Sequence, residues 1–246
     1  MFELNLFDFC IAAFCAFLLG VSKSGIKGIA ALIVTGFAIV YGAKNSTGVL
    51  MPLLIVGDIF AITYYKRFVL WHFIIKLIPW MIFGVLVGVI GGVYISENLF
   101  KYGMAGIILF SVSLMYYWEN KKDKKIPKHW FFSSSMGTLA GFTTMVGNLA
   151  GAFSNIYFLV MRLPKNAFIG TAAWLFFIIN SFKIPFHIWS WQTINKVSIL
   201  KSIELVPFVI LGLFVGVFLV KKINEDAFRK LILILTALGG VLILFN

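Results

Sequence analysis

The stretch GVSKSGIKG (20–28) places two lysines and two serines among three glycines, between two apolar runs. Such a break offers hydroxyl donors from Ser22 and Ser24 and full positive charge from Lys23 and Lys27. Gly25 and Gly28 let the backbone turn, and a helix starting near Gly28 would present free N–H groups and a partial positive charge. A second Gly-rich break, GFTTMVGNLAG (141–151), offers Thr143, Thr144, Gly147 and Asn148 but no charge of its own. A pocket drawn from both breaks would be asymmetric, rich in hydroxyls and net positive, which suits a small oxyanion. The plainer alternative is a cytoplasmic hairpin whose lysines follow the positive-inside rule.

Asp58, in PLLIVGDIFAITYY (52–65), is an acid near the middle of a predicted membrane segment. A carboxylate at that depth is costly, so it is a functional candidate by default. It is expected to pair with Lys23 or Lys27, to take up a proton as a coupling group, or to bond neighbouring backbone. Its approximate counterpart in the second half is Asn180, in LFFIINSFK (175–183). Glu204, near the start of its segment, reads as interfacial.

The elements that must position these residues are membrane helices. Of the 246 residues 61% are hydrophobic and 12% charged, about half the charge of a soluble domain, and mean hydropathy is +0.99. The chain is expected to be an all-α integral membrane protein. The net charge of +12 is spread through short loops, which argues against nucleic acid. Cys10 and Cys15 share one apolar run on different helix faces, so neither a disulfide nor a metal site is expected. The N-terminus carries Glu3 and Asp8 rather than a basic segment, so the first run is expected to stay as a membrane helix. There is no GxSxG, no Walker A motif and no Cys/His metal spacing. His72, His129 and His187 stand near segment ends, where interfacial residues are common. No enzyme activity, cofactor or metal is expected.

The chain repeats itself. IPWMIFGVLVGVIGGVYISENLFK (78–101) aligns without a gap on VPFVILGLFVGVFLVKKINEDAFR (206–229), at an offset of 128. Pro79 meets Pro207, Gly84 meets Gly212, Gly88 meets Gly216, and Glu97 meets Glu225. Nearer the start, Gly20 meets Gly141 and Lys44-Asn45 meets Lys165-Asn166, at an offset of 121. The difference is assigned to a longer loop around 183–196. Residues 1–118 are read as the first transmembrane repeat, 119–129 as a basic cytoplasmic linker and 130–246 as the second repeat. Each half holds five apolar segments: about 6–21, 28–43, 47–65, 72–95 and 100–118, then 130–145, 148–163, 166–182, 198–220 and 226–245. The first two of each half are short, and span or re-enter. Asn45 and Asn166 are expected to cap the third segments, and the GxxxG spacings to permit close helix packing.

If each short pair crosses twice or not at all, the halves are inverted. Thirteen lysines and arginines then fall on one side and five, Lys183 among them, on the other, with Lys23, Lys27 and Lys76 unassigned. Parallel halves would give ten against eight. The positive-inside rule favours inversion, with both termini outside the cytoplasmic (inner) membrane.

In order and spacing these features resemble the sulfite exporter TauE/SafE family of membrane transporters. The resemblance rests on the Gly-rich element from Gly20 to Gly28 and its echo from Gly141 to Gly151. It rests also on RFVLWHF (67–73), and on the P-x(4)-G-x(3)-G helix with its I-x-E-x-x-F turn, found twice. The resemblance implies movement of small sulfur-containing anions, such as sulfite and organosulfonates, across the cytoplasmic membrane. Family members often have a more glycine-rich first element, from which Lys23 and Lys27 depart. The expectation is a secondary transporter of sulfite, an organosulfonate or a related small carboxylate, working by alternating access. The rivals are a passive anion channel, an amino-acid exporter and a non-transporting membrane partner. A homo-oligomer is neither required nor excluded.

Overall fold

A computed structural model describes residues 5–94 and 129–228, with 102, 103, 106, 110, 113, 117, 230–232, 234 and 235. The described residues are helical, with no strand. The helices are α1 (Leu6–Lys23), α2 (Ala30–Tyr41), α3 (Ala43–Tyr65), α4 (Trp71–Tyr94), α5 (Trp130–Gly147), α6 (Gly151–Val160), α7 (Lys165–Trp189) and α8 (Lys196–Lys222). A short 3-10 turn, Lys66–Phe68, follows α3. Most of the fifth and tenth apolar segments and the basic linker, 119–128, lie outside the described residues.

Among the described residues five stretches are long and apolar enough to cross a membrane: Leu6–Lys23, Ala43–Phe68, Trp71–Gly92, Lys165–Trp189 and Lys196–Lys222. The 12 residues of α2 and 10 of α6 make only ~18 and ~15 Å of helix, well short of a ~30 Å hydrocarbon core. α3 and α7 are the enclosed pair, with 56% and 61% of their apolar windows buried, against 33% for α4 and α8. The outer helices instead display large apolar side chains such as Phe83, Ile90, Phe214 and Phe218, which suits a lipid-facing surface.

Local chemistry sets the helix ends. Asn5 caps α1 by accepting from the Asp8 N–H at 2.8 Å, with Asp8 in the first turn and Lys23 in the last, complementing the helix dipole. A reciprocal Asn195/Ser198 capping box starts α8. The third segments behave differently from expectation. α3 begins at Ala43 and α7 at Lys165, so Asn45 and Asn166 lie inside the first turns and cap neither helix. At α7 the Glu225 carboxylate replaces the expected cap, accepting from the Lys165 N–H at 2.8 and 3.0 Å. A full negative charge satisfies a helix N-terminus better than a neutral amide does.

The duplication reappears as one contact made twice with the halves exchanged. α1 packs on α8 at Gly20, where an added Cβ would sit 2.1 Å from the Val209 carbonyl. α5 packs on α4 at Gly141, where it would sit 2.0 Å from the Met81 carbonyl. From the other side, Gly212 abuts the Phe17 carbonyl as Gly84 abuts Thr138, and Gly216 abuts Ser24 as Gly88 abuts Met145. Every member of one set maps to the other by the sequence offsets of 121 and 128. The GxxxG glycines therefore join opposite halves, backbone to backbone.

One boundary needs correcting. α7 continues through Lys183 and Pro185 to Trp189, so much of the supposed loop around 183–196 is helix. Lys183 and His187 are both fully buried there. Lys183 is thus not a loop lysine, and His187 is buried in the last turn of α7.

Candidate functional site

Both short pairs turn at tips rather than long loops. After α1 the chain is held by Ser24 N–H to the Gly20 carbonyl at 3.0 Å and Gly25 N–H to the Ser22 carbonyl at 3.2 Å. Gly28 then takes φ +102° before α2 begins, a backbone state that side chains rarely tolerate. After α5, Asn148 adopts the left-handed conformation at φ +56°, with its N–H on the Thr144 carbonyl at 3.0 Å. Neither α2 nor α6 has a side chain capping its N-terminus.

The two tips meet at one cavity of about 60 Å³, room for a few waters or a small anion. From the first tip, Ser22, Lys23, Lys27, Gly28 and Ala30 line it; from the second, Thr144, Asn148, Ala150, Gly151 and Asn155. Phe176 and Asn180 of α7 close one wall, and Leu19, Ile33, Val34, Leu50 and Leu54 supply apolar surface. The uncapped starts of both short helices therefore share one space. The positive dipole ends of two helices at one cavity favour negative charge there.

The sequence candidates separate into those on the wall and those behind it. Ser24, Gly25, Thr143 and Gly147 are not among the lining residues. The Ser24 hydroxyl donates to the Leu213 carbonyl at 2.6 Å, and its own carbonyl accepts from the Tyr65 hydroxyl at 2.6 Å. Ser24 thus fastens the first tip to α8 and α3. Gly25, at φ +129°, packs against Ile169, and the Thr143 hydroxyl stays within its own tip, on Ala140 and Leu149.

Asp58 is fully buried, and its two oxygens are both used. Oδ1 accepts from Lys23 Nζ at 2.6 Å and Oδ2 from Asn180 Nδ2 at 2.7 Å. The two residues matched by the repeat touch one another, so Asp58 ties the first tip to α7. Gly57 lets the Lys23 stem cross α3, since a Cβ there would lie 2.6 Å from Lys23 Cγ. Lys27, 4% exposed, donates to the Ser22 carbonyl at 3.2 Å. Its ammonium and that of Lys23 flank the Phe176 ring at 5.6 and 5.5 Å, distances at which a ring face attracts cations.

Sequence reasoning missed three residues. Phe176 is one of many apolar positions in its helix, and only its contacts single it out. Asn155 lines the cavity at 5% exposure, and its Oδ1 finds no hydrogen-bond partner among the described residues. Its place one turn into a short helix after the break was the available signal. Lys183 brings charge to the second tip, where the sequence had shown none. Its Nζ donates to the Thr144 carbonyl at 2.7 Å, the Thr144 hydroxyl at 2.9 Å and Asn148 Oδ1 at 2.8 Å. Among the described residues, the buried lysines are thus Lys23, Lys27 and Lys183, and the buried carboxylate is Asp58.

No curated protein and no solved structure matches the chain. A family model does, that of the Sulfite exporter TauE/SafE family, over residues 12–243. With nearly its whole length covered, the chain belongs to the sulfite exporter TauE/SafE family, whose members are membrane transporters and not enzymes.

Proposed function

We propose that this protein is a secondary transporter of a small oxyanion, bound in the cavity between the two tips. The candidates are sulfite, an organosulfonate or a related small carboxylate, whose negative charge suits the lysine-bearing wall. One observation carries the reading: Lys27 and the uncapped starts of α2 and α6 line a single cavity. Ser22, Thr144 and Asn148 add polar contacts on its wall, and Lys23 lies beside them neutralised by Asp58.

Family membership supports anion transport; the shortness of α2 and α6 supports tips that turn back within the membrane. The exchanged glycine contacts, with the lysine distribution, support halves of opposite orientation in the cytoplasmic membrane and termini outside. Alternating access would rock the α1/α8 and α4/α5 pairs about the cavity. Asp58 is the candidate coupling group. Protonating it removes the charge that holds Lys23, loosening the tie between the first tip and α7.

The test is flux into proteoliposomes containing the purified protein, with sulfite, methanesulfonate and acetate offered under imposed pH gradients. Saturable flux that follows the gradient, and loses that dependence in Asp58→Asn, is the expected result. Unsaturable flux indifferent to the gradient would mean a channel. Amino-acid flux without anion flux would replace the substrate assignment.

A further inference from the structure

Lys183 has no part in the reading above, yet it is the most completely enclosed cation described, with none of its side chain exposed. An ammonium has three donors and no acceptor. Three oxygens surround this one, all from the second tip: the Thr144 carbonyl and hydroxyl and Asn148 Oδ1, at 2.7 to 2.9 Å. None is a carboxylate. Asn148 is held from its other end as well, its Nδ2 reaching the Thr47 carbonyl at 3.4 Å.

The arrangement mirrors the first tip with the sign reversed. In the first half α3 reaches the tip with a carboxylate, Asp58, which cancels the tip's own Lys23. In the second half α7 reaches an uncharged tip with a cation, and among the described residues no carboxylate contacts it. Each half therefore leaves one ammonium without a carboxylate partner: Lys27 on the cavity wall, and Lys183 behind Thr144 and Asn148. A buried positive charge is stabilised by a counter-charge brought close to it in a medium of low dielectric.

We propose that Lys183 is a positioning residue for the substrate, acting through Thr144 and Asn148, and that with Lys27 it matches the site to doubly charged oxyanions over singly charged ones of similar size. Lys183 fixes both wall residues of the second tip in one geometry, and its field adds to that of Lys27 across the cavity. The inference rests on the cavity being the anion site. It adds a preference for charge number, which that reading does not require.

The experiment measures affinities of the purified protein at neutral pH for sulfate, a dianion, and for methanesulfonate, a monoanion of similar size. The wild type is expected to favour the dianion by about tenfold or more. Lys183→Met removes most of that preference, whereas Lys183→Arg, which keeps the charge, retains it. Lys183→Gln keeps a donor without charge and behaves as Lys183→Met, giving the same answer if the methionine variant does not fold. A merely structural lysine would lower stability, or both affinities together, and leave their ratio alone. An unchanged ratio in Lys183→Met or Lys183→Gln overturns the proposal, as does a wild type that binds both anions equally. A wild type that binds neither anion overturns the anion-site reading itself, and this inference with it.

Discussion

Lys23 Nζ and Asp58 Oδ1 lie 2.6 Å apart with 8% and 0% of their side chains exposed. The pair joins the first tip to α3, and through Asn180 to α7. Breaking a buried pair strands the remaining charge, which costs far more than the pair contributes. Asp58→Asn is therefore predicted to destabilise the protein by ~3–5 kcal/mol, and Lys23→Met/Asp58→Asn to recover most of that. Thermal unfolding of the single and double variants in detergent checks it. A double variant no more stable than Asp58→Asn would show that the two groups are not coupled.

Lys27 has a carbonyl and a ring face as partners rather than a carboxylate. Its charge is predicted to serve a bound anion more than the fold. Lys27→Met should lower anion affinity about tenfold or more, with little change in melting temperature. Titration calorimetry beside a melting curve separates the two effects, and intact affinity would remove Lys27 from the site.

Asn155 carries a polar atom that the described residues leave unbonded. Replacing such a group by an apolar one of similar shape relieves a desolvation cost of ~1–3 kcal/mol. Asn155→Leu should then melt no lower than wild type while binding anions more weakly, the usual exchange of stability against function. Weaker binding together with a lowered melting point would point to a structural asparagine instead.

The repeated packing makes a prediction about glycines of one helix. A Cβ at Gly84 would lie 2.1 Å from the Thr138 carbonyl, whereas one at Gly91 meets nothing within 4 Å. Gly84→Ala should cost ~1–3 kcal/mol through overpacking. Gly91→Ala should be neutral, or stabilising by up to ~1 kcal/mol through helix propensity. Comparable losses at both would mean that α4 and α5 do not meet at Gly84. The same contrast, tried at Gly212, tests the exchanged partner surface.

The fold was largely legible because it rests on patterns that recur along the chain. Apolar run lengths marked the described helices to within a few residues, except at the end of α7, which runs on to Trp189. The doubled Pro and Gly spacings revealed the repeat, and the Gly-rich breaks marked both tips. Ser22, Lys23, Lys27, Gly28, Thr144 and Asn148 all reached the cavity wall, because a break between two short helices has few places to go. Asn45 and Asn166 misled because capping depends on where the helix starts, and a shift of one or two residues moves a cap into the first turn.

By itself, then, the sequence determined the membrane character, the duplication, the paired breaks and the family, since each is written in composition, spacing or order. Tertiary structure decided which charges meet. A lysine side chain reaches several ångströms from its own helix, so its partner is set by packing between elements far apart in the chain. Asp58 therefore pairs with Lys23, while Lys27 donates to the Ser22 carbonyl. Lys183, counted among the loop lysines, became the cation of the second tip only when α7 was laid beside Thr144 and Asn148.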